Sequence, residues 1–153
     1  MIQILQKFLY CGTIKAGYNY LSKENTIGYI LFKLDSIDTE NYYALNVVGD
    51  SMTPLFDNGD TIIVHKQTTF ENGENCIVLV DDGEYVIQKV YKTNTGIELK
   101  SVNPYYPPRI FTEREMNDLP IQVIGVVEKL IRNLKKTKSK NKKSWIYKDW
   151  LYE

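Results

Sequence analysis

Apolar and polar positions alternate with a period of two through most of the middle of this chain. Short β-branched and aromatic runs, separated by Gly, Asn, Asp or Pro, predict strands over Tyr42 to Val48, Thr61 to His65, Asn75 to Val80, Glu84 to Tyr91, Gly96 to Ser101 and Ile121 to Glu128. Asp81-Asp82-Gly83 and Asn94-Thr95-Gly96 have the composition of tight hairpin turns that need positive φ. Strands this closely spaced leave little chain for helical crossovers. The expected fold is therefore all-β, with bent antiparallel sheets that are partly barrel-like.

The strand pattern stops near Arg132, which divides the chain into a lead-in over 1–11, a β domain over 12–132 and a tail over 133–153. Six lysines fall in the nine residues Lys135 to Lys143, where they repel one another and bury nothing. The tail is expected to be mobile, with only weak, salt-sensitive affinity for nucleic acid. Trp145, Ile146, Tyr147, Trp150 and Leu151 are spaced to form a short amphipathic helix that docks on the domain.

Composition narrows the picture. The 153 residues suffice for one domain with a sizeable core. No apolar run approaches the roughly 18 residues of a membrane span, and no secretory leader pattern opens the chain. A cytoplasmic protein is expected. Nineteen basic and nineteen acidic residues cancel, so no global field draws the chain toward nucleic acid. Cys11 and Cys76 are far apart and in no metal-ligand spacing, which reads as reduced, partly buried thiols. No metal or nucleotide motif is present, and no cofactor is expected.

The candidate chemistry centres on Gly49-Asp50-Ser51-Met52-Thr53-Pro54, directly after the predicted strand Tyr42 to Val48 and just ahead of Asn58-Gly59-Asp60. A serine on a turn at a strand end is placed to be a nucleophile. Gly59 and Asp60 are expected to shape the turn that follows, and Met52 to pack the wall of the site. His65, at a strand end with no carboxylate at motif spacing, reads as a surface histidine. Asn103 to Pro108 reads as a rigid, proline-bearing connection.

This passage resembles the active-site segment of the LexA/UmuD family of self-cleaving serine-lysine peptidases, and the likeness continues in family order. It takes in Thr61 to Lys66, Glu71-Asn72-Gly73-Glu74, Gly83 to Val90, Leu99 to Tyr106 and Ile124-Gly125-Val126-Val127, about Gly12 to Ile131 in all. The resemblance implies the bent all-β fold shared with signal peptidases, which the lack of a membrane anchor argues against here. It also implies a homodimer, for which the apolar run Ile121 to Leu130 is the expected contact. RecA filaments on single-stranded DNA, or an antirepressor, are the implied regulatory partners. Family repressors read operator DNA through an N-terminal helix-turn-helix domain, which Met1 to Cys11 is too short to build.

The family cuts its own chain at an Ala-Gly or Cys-Gly bond. Ala16-Gly17 lies thirty-five residues before Ser51, a LexA-like spacing, and Cys11-Gly12 is a second candidate. Small residues suit a cut site because the scissile carbonyl must reach the serine oxygen and the oxyanion donors without a side-chain clash. The family's base is a neutral lysine, desolvated on a strand so that its pKa falls from about 10.4 toward neutrality. Alignment of Glu84-Tyr85 and Val90 puts Gln88 at that position and Lys89 beside it. Adjacent strand residues face opposite ways, which leaves three readings. Gln88 occupies the base site of a pseudo-peptidase that acts as a homodimeric regulatory module; or a bulge turns Lys89 inward as the base; or glutamine was introduced to block cleavage.

Overall fold

A computed structural model describes residues 6–13, 28–32, 41–80 and 84–134, with side chains described over the last two ranges. Nine strands, β1 (Gln6–Thr13), β2 (Gly28–Phe32), β3 (Tyr42–Asn46), β4 (Thr61–Lys66), β5 (Glu74–Val80), β6 (Glu84–Lys92), β7 (Gly96–Lys100), β8 (Arg109–Thr112) and β9 (Gln122–Ile131), and one helix, α1 (Glu113–Asp118), make up the described fold. The strands form a single sheet in the order β2-β1-β3-β4-β9-β5-β6-β7-β8. All-β architecture is therefore as expected. Among the described residues the sheet is open, ending at β2 and β8, and does not close into a barrel.

All neighbouring strands run antiparallel except β1 and β3, which pair in parallel from Leu9↔Tyr43 to Thr13↔Asn46. Strand β1 crosses the expected boundary between lead-in and domain at residues 11 and 12, so the lead-in supplies part of the sheet. Strand β9 lies between β4 and β5 and is hydrogen-bonded on both sides. The two ladders overlap only at Gly125 and Val126: β4 pairs with Gly125 to Ile131 and β5 with Gln122 to Val126, so beyond Val126 the second edge of β9 meets no strand among the described residues.

Strand alternation builds two cores from one sheet. In β5, Ile77 joins Tyr43, Leu45, Val47, Met52, Phe56, Ile62 and Val64, whereas its neighbours Cys76 and Val78 join Val90, Ile97, Leu99, Ile121, Val123 and Val126. Tyr42 to Leu45 are all buried, as expected of a strand covered on both faces.

Local chemistry accounts for two features that pattern reading did not assign correctly. Gly96 is not a positive-φ turn residue; among the described glycines that conformation belongs to Gly49, Gly59 and Gly73. Gly96 is needed for close approach, since a Cβ there would sit 1.9 Å from the Phe111 carbonyl oxygen on β8. Helix α1 follows β8 at once because Thr112 caps it, accepting from the Glu115 N–H while the Glu115 side chain accepts from the Thr112 N–H.

Candidate functional site

The turn that carries Ser51 is tied at its stem. Val47 N–H donates to the Asp60 carbonyl (2.8 Å) and Gly59 N–H to the Val47 carbonyl (2.9 Å), closing the segment between β3 and β4. Gly49 takes φ +90°, a conformation that side chains disfavour, and its N–H donates to Asn58 Oδ1. After Ser51 the chain makes one turn, with Thr53 N–H on the Asp50 carbonyl and Phe56 N–H on the Met52 carbonyl. Met52 and Phe56, four residues apart, thus share a face and sink into the first core. Met52 accordingly packs the wall of the site.

Two further elements brace this loop. Asp60, only 3% exposed, accepts a fork of hydrogen bonds from Arg132 beyond β9 (Nε to Oδ1, 2.9 Å; Nη2 to Oδ2, 2.7 Å) and also takes the Asp57 N–H (2.7 Å). The hydrogen bond to Asp60 raises the Arg132 pKa further, and the guanidinium stays charged. From the other side, the 103–106 segment grips the Ser51 turn itself. Asn103 N–H donates to the Ser51 carbonyl (3.0 Å), Asn103 Nδ2 to the Asp50 carbonyl (2.9 Å) and Tyr106 Oη to Asp50 Oδ1 (2.6 Å). That bond to Asp50 is also the main reason the Tyr106 phenol is held above its ordinary pKa.

Ser51 borders a cleft of about 580 Å³ whose opposite wall is the strand segment from Glu84 to Gln88 together with Ser101. Gln88 is 5% exposed and faces Ser101. Its Nε2 donates to Ser101 Oγ (3.1 Å), and Ser101 Oγ donates to its Oε1 (3.2 Å), so both ends of the carboxamide are engaged there rather than on Ser51. The Ser51 hydroxyl makes no hydrogen bond among the described residues.

Lys89 lies outside this cleft, with Nζ donating to the Gly73 carbonyl (3.4 Å). The β5–β6 ladder runs from Glu74↔Val90 to Val80↔Glu84 without a register shift, and β6 and β7 continue in step from Lys89↔Lys100. The bulge that would turn Lys89 inward is absent. Among the described residues neither lysine nor histidine lines the cleft, and Arg109, which does line it, does not deprotonate. His65 is partly exposed, packed on the Tyr42 ring and hydrogen-bonded to Gln67. Ala16 and Gly17, the lysine-rich tail and the side chain of Cys11 lie outside the described residues.

Ser101, Asn103 and Arg132 were not singled out by motif reading. Ser101 and Asn103 sit inside a family-like segment but carry no chemistry of their own, and Arg132 marked only the end of a pattern. Their roles depend on what the fold brings beside them.

The site is thus a strand-end serine on a braced turn, bordering a cleft lined by the Glu84 to Gln88 segment and Ser101. Residues 8–128 match the Peptidase S24-like family. The chain is also similar to LexA repressors from Acetivibrio thermocellus (35% identity over 121 residues, 78% of this chain and 55% of that protein) and Caldicellulosiruptor saccharolyticus (34% over 125 residues, 80% and 57%). A LexA repressor from Granulibacter bethesdensis is 32% identical over 102 residues, 65% of this chain and 42% of that protein. The chain therefore belongs to the Peptidase S24-like family, and it spans about half the length of the curated relatives it matches.

Proposed function

We propose that this chain is the regulatory domain of a LexA-like transcriptional repressor or SOS-response protein in which self-cleavage is suppressed at the base position. The observation that carries this reading is Gln88, buried beside the Ser51 cleft with its carboxamide spent on Ser101, while Lys89 is turned away to Gly73. An amide takes no proton from an alcohol, and without a base Ser51 stays a weak nucleophile. The domain then acts as a cytoplasmic, homodimeric module that keeps the peptidase fold and has lost its chemistry. Operator DNA is read by a separate N-terminal domain, and a RecA filament or an antirepressor is the regulatory partner.

The ancestral reaction is legible in the same groups. A neutral amine at position 88 would take the Ser51 proton as Oγ attacks the Ala16 carbonyl. Backbone N–H groups beside Ser51 would hold the oxyanion, and the amine would return its proton to the leaving nitrogen of Gly17. Cleavage within one chain gains from effective molarities that reach about 10⁵ to 10⁸ M for well-oriented groups.

The test is incubation near pH 10 of the parent, Gln88→Lys, Gln88→Lys with Ser51→Ala, and Lys89→Ala, with fragment masses read by mass spectrometry. The parent and Lys89→Ala are expected to stay intact, Gln88→Lys to split between Ala16 and Gly17, and the double variant to stay whole. Robust cleavage of the parent that is lost in Lys89→Ala would make Lys89 the base and overturn the proposal.

A further inference from the structure

The grip of Asn103 on the Ser51 turn has a directional consequence. A trans peptide plane holds its C=O and N–H antiparallel, and the only cis bond among the described residues is Thr53-Pro54. Asn103 Nδ2 holds the Asp50 carbonyl (2.9 Å), whose second lone pair takes the Thr53 N–H (3.1 Å). The N–H of the same plane belongs to Ser51 and must point away from Asn103. Likewise, Asn103 N–H holds the Ser51 carbonyl (3.0 Å), which turns the Met52 N–H away. Ser51 and Met52 line the cleft and Asn103 does not. Neither of these two N–H groups has a hydrogen-bond partner among the described residues.

We propose that Asn103 is the positioning residue of this site, aiming the Ser51 and Met52 N–H groups into the cleft as a ready-made seat for an oxyanion. Its side chain is itself fixed, because Asn103 Oδ1 accepts the Tyr105 N–H (3.0 Å), so the donor cannot swing off Asp50 without breaking that turn. The seat does not depend on a base. It persists with Gln88 in place, and it explains how the turn keeps its peptidase geometry when the proton acceptor is missing. The proposal rests on reading Ser51 as a nucleophile-type serine in this cleft, but not on cleavage by the parent chain.

Two measurements test it separately from the function. In the parent, phenylboronic acid near pH 9 should add to Ser51. The Oγ–B bond forms, the hydroxyl proton passes to buffer, and the anionic boron hydroxyl occupies the seat. Boron NMR should then show a tetrahedral adduct, with the Ser51 and Met52 amide resonances moved. Asn103→Ala should weaken this adduct at least about tenfold, in line with the cost of losing oxyanion donors. Asn103→Asp keeps the turn acceptor and replaces the Nδ2 donor by a charged carboxylate oxygen that repels the Asp50 carbonyl, so it should weaken the adduct at least as much if Asn103→Ala does not fold. In the Gln88→Lys background, the Asn103→Ala change should lower the plateau self-cleavage rate by a similar factor without moving the pH midpoint.

An Asn103-dependent adduct with no cleavage in the Gln88→Lys background upholds the seat and counts against the peptidase ancestry. No adduct in the folded parent, or adducts and amide shifts indifferent to both Asn103 variants, overturns the proposal.

Discussion

Gln88→Lys should make the folded state pH-sensitive in a way the parent is not. Position 88 is 5% exposed and pairs with Cys76, which is fully buried like Val90 two residues on, so an amine placed there loses most of its water. Burial disfavours the charged form and lowers the folded-state pKa, while the unfolded chain keeps about 10.4. If the folded value falls to about 7.4, the penalty is about 4 kcal/mol, since each pH unit between the two values is worth about 1.4 kcal/mol. The sign follows from linkage. Above about pH 10.4 the amine is neutral in both states and no charge penalty exists; it grows as pH falls and is complete below about 7.4. Any steric cost of the longer side chain is independent of pH and cancels in the comparison.

The assay is urea unfolding of Ser51→Ala and of Ser51→Ala with Gln88→Lys, at several values from about pH 6 to about 10.5, the serine change removing self-cleavage as a complication. The stability difference between the two proteins should widen by about 4 kcal/mol from the alkaline to the neutral end. A difference that stays flat across this range would mean that water reaches the introduced amine. The cleft could not then lower a lysine pKa, and the account of why a base works there would be refuted.

Two further outcomes are expected. Asp60→Ala removes the acceptor for both Arg132 bonds and for the Asp57 N–H, and should cost about 2 kcal/mol by urea unfolding while loosening the Ser51 turn. An unchanged midpoint would show that the clamp does not contribute. The Cys76 thiol, pushed from its ordinary 9.0 up to about 12 by burial and secondarily by Glu74, should resist iodoacetamide at pH 8 in the folded protein and react once unfolded. Its raised value stabilises the fold fully below about pH 9, and that contribution is lost as pH rises toward 12; rapid alkylation of the native state would contradict this.

Much of the local structure follows directly from residue order. Period-two alternation marks β3 to β7 and β9 within a few residues at each end. Gly49, flanking the serine, and Gly59 before Asp60 announce a turn with special backbone angles, and Thr112-Glu113-Arg114-Glu115 carries the capping box of α1 even though no helix was expected there. Which of Gln88 and Lys89 lies toward the cleft depends only on the register of one strand. Alternation then forces the two side chains apart, and the unbroken ladder keeps them so.

Pairing order is different in kind. A period-two pattern states which face of a strand is apolar and says nothing about which strand lies beside it. The insertion of β9 between β4 and β5, the parallel pairing of β1 with β3 and the open edges at β2 and β8 were therefore decided only by tertiary packing. So were the groups that define the site. Arg132 meets Asp60 across 72 residues, Tyr106 meets Asp50 across 56, Asn103 meets Asp50 across 53, and Ser101 takes up the carboxamide of Gln88. Each is a polar side chain whose partner is distant in sequence, and only the folded sheet brings donor and acceptor within hydrogen-bond reach.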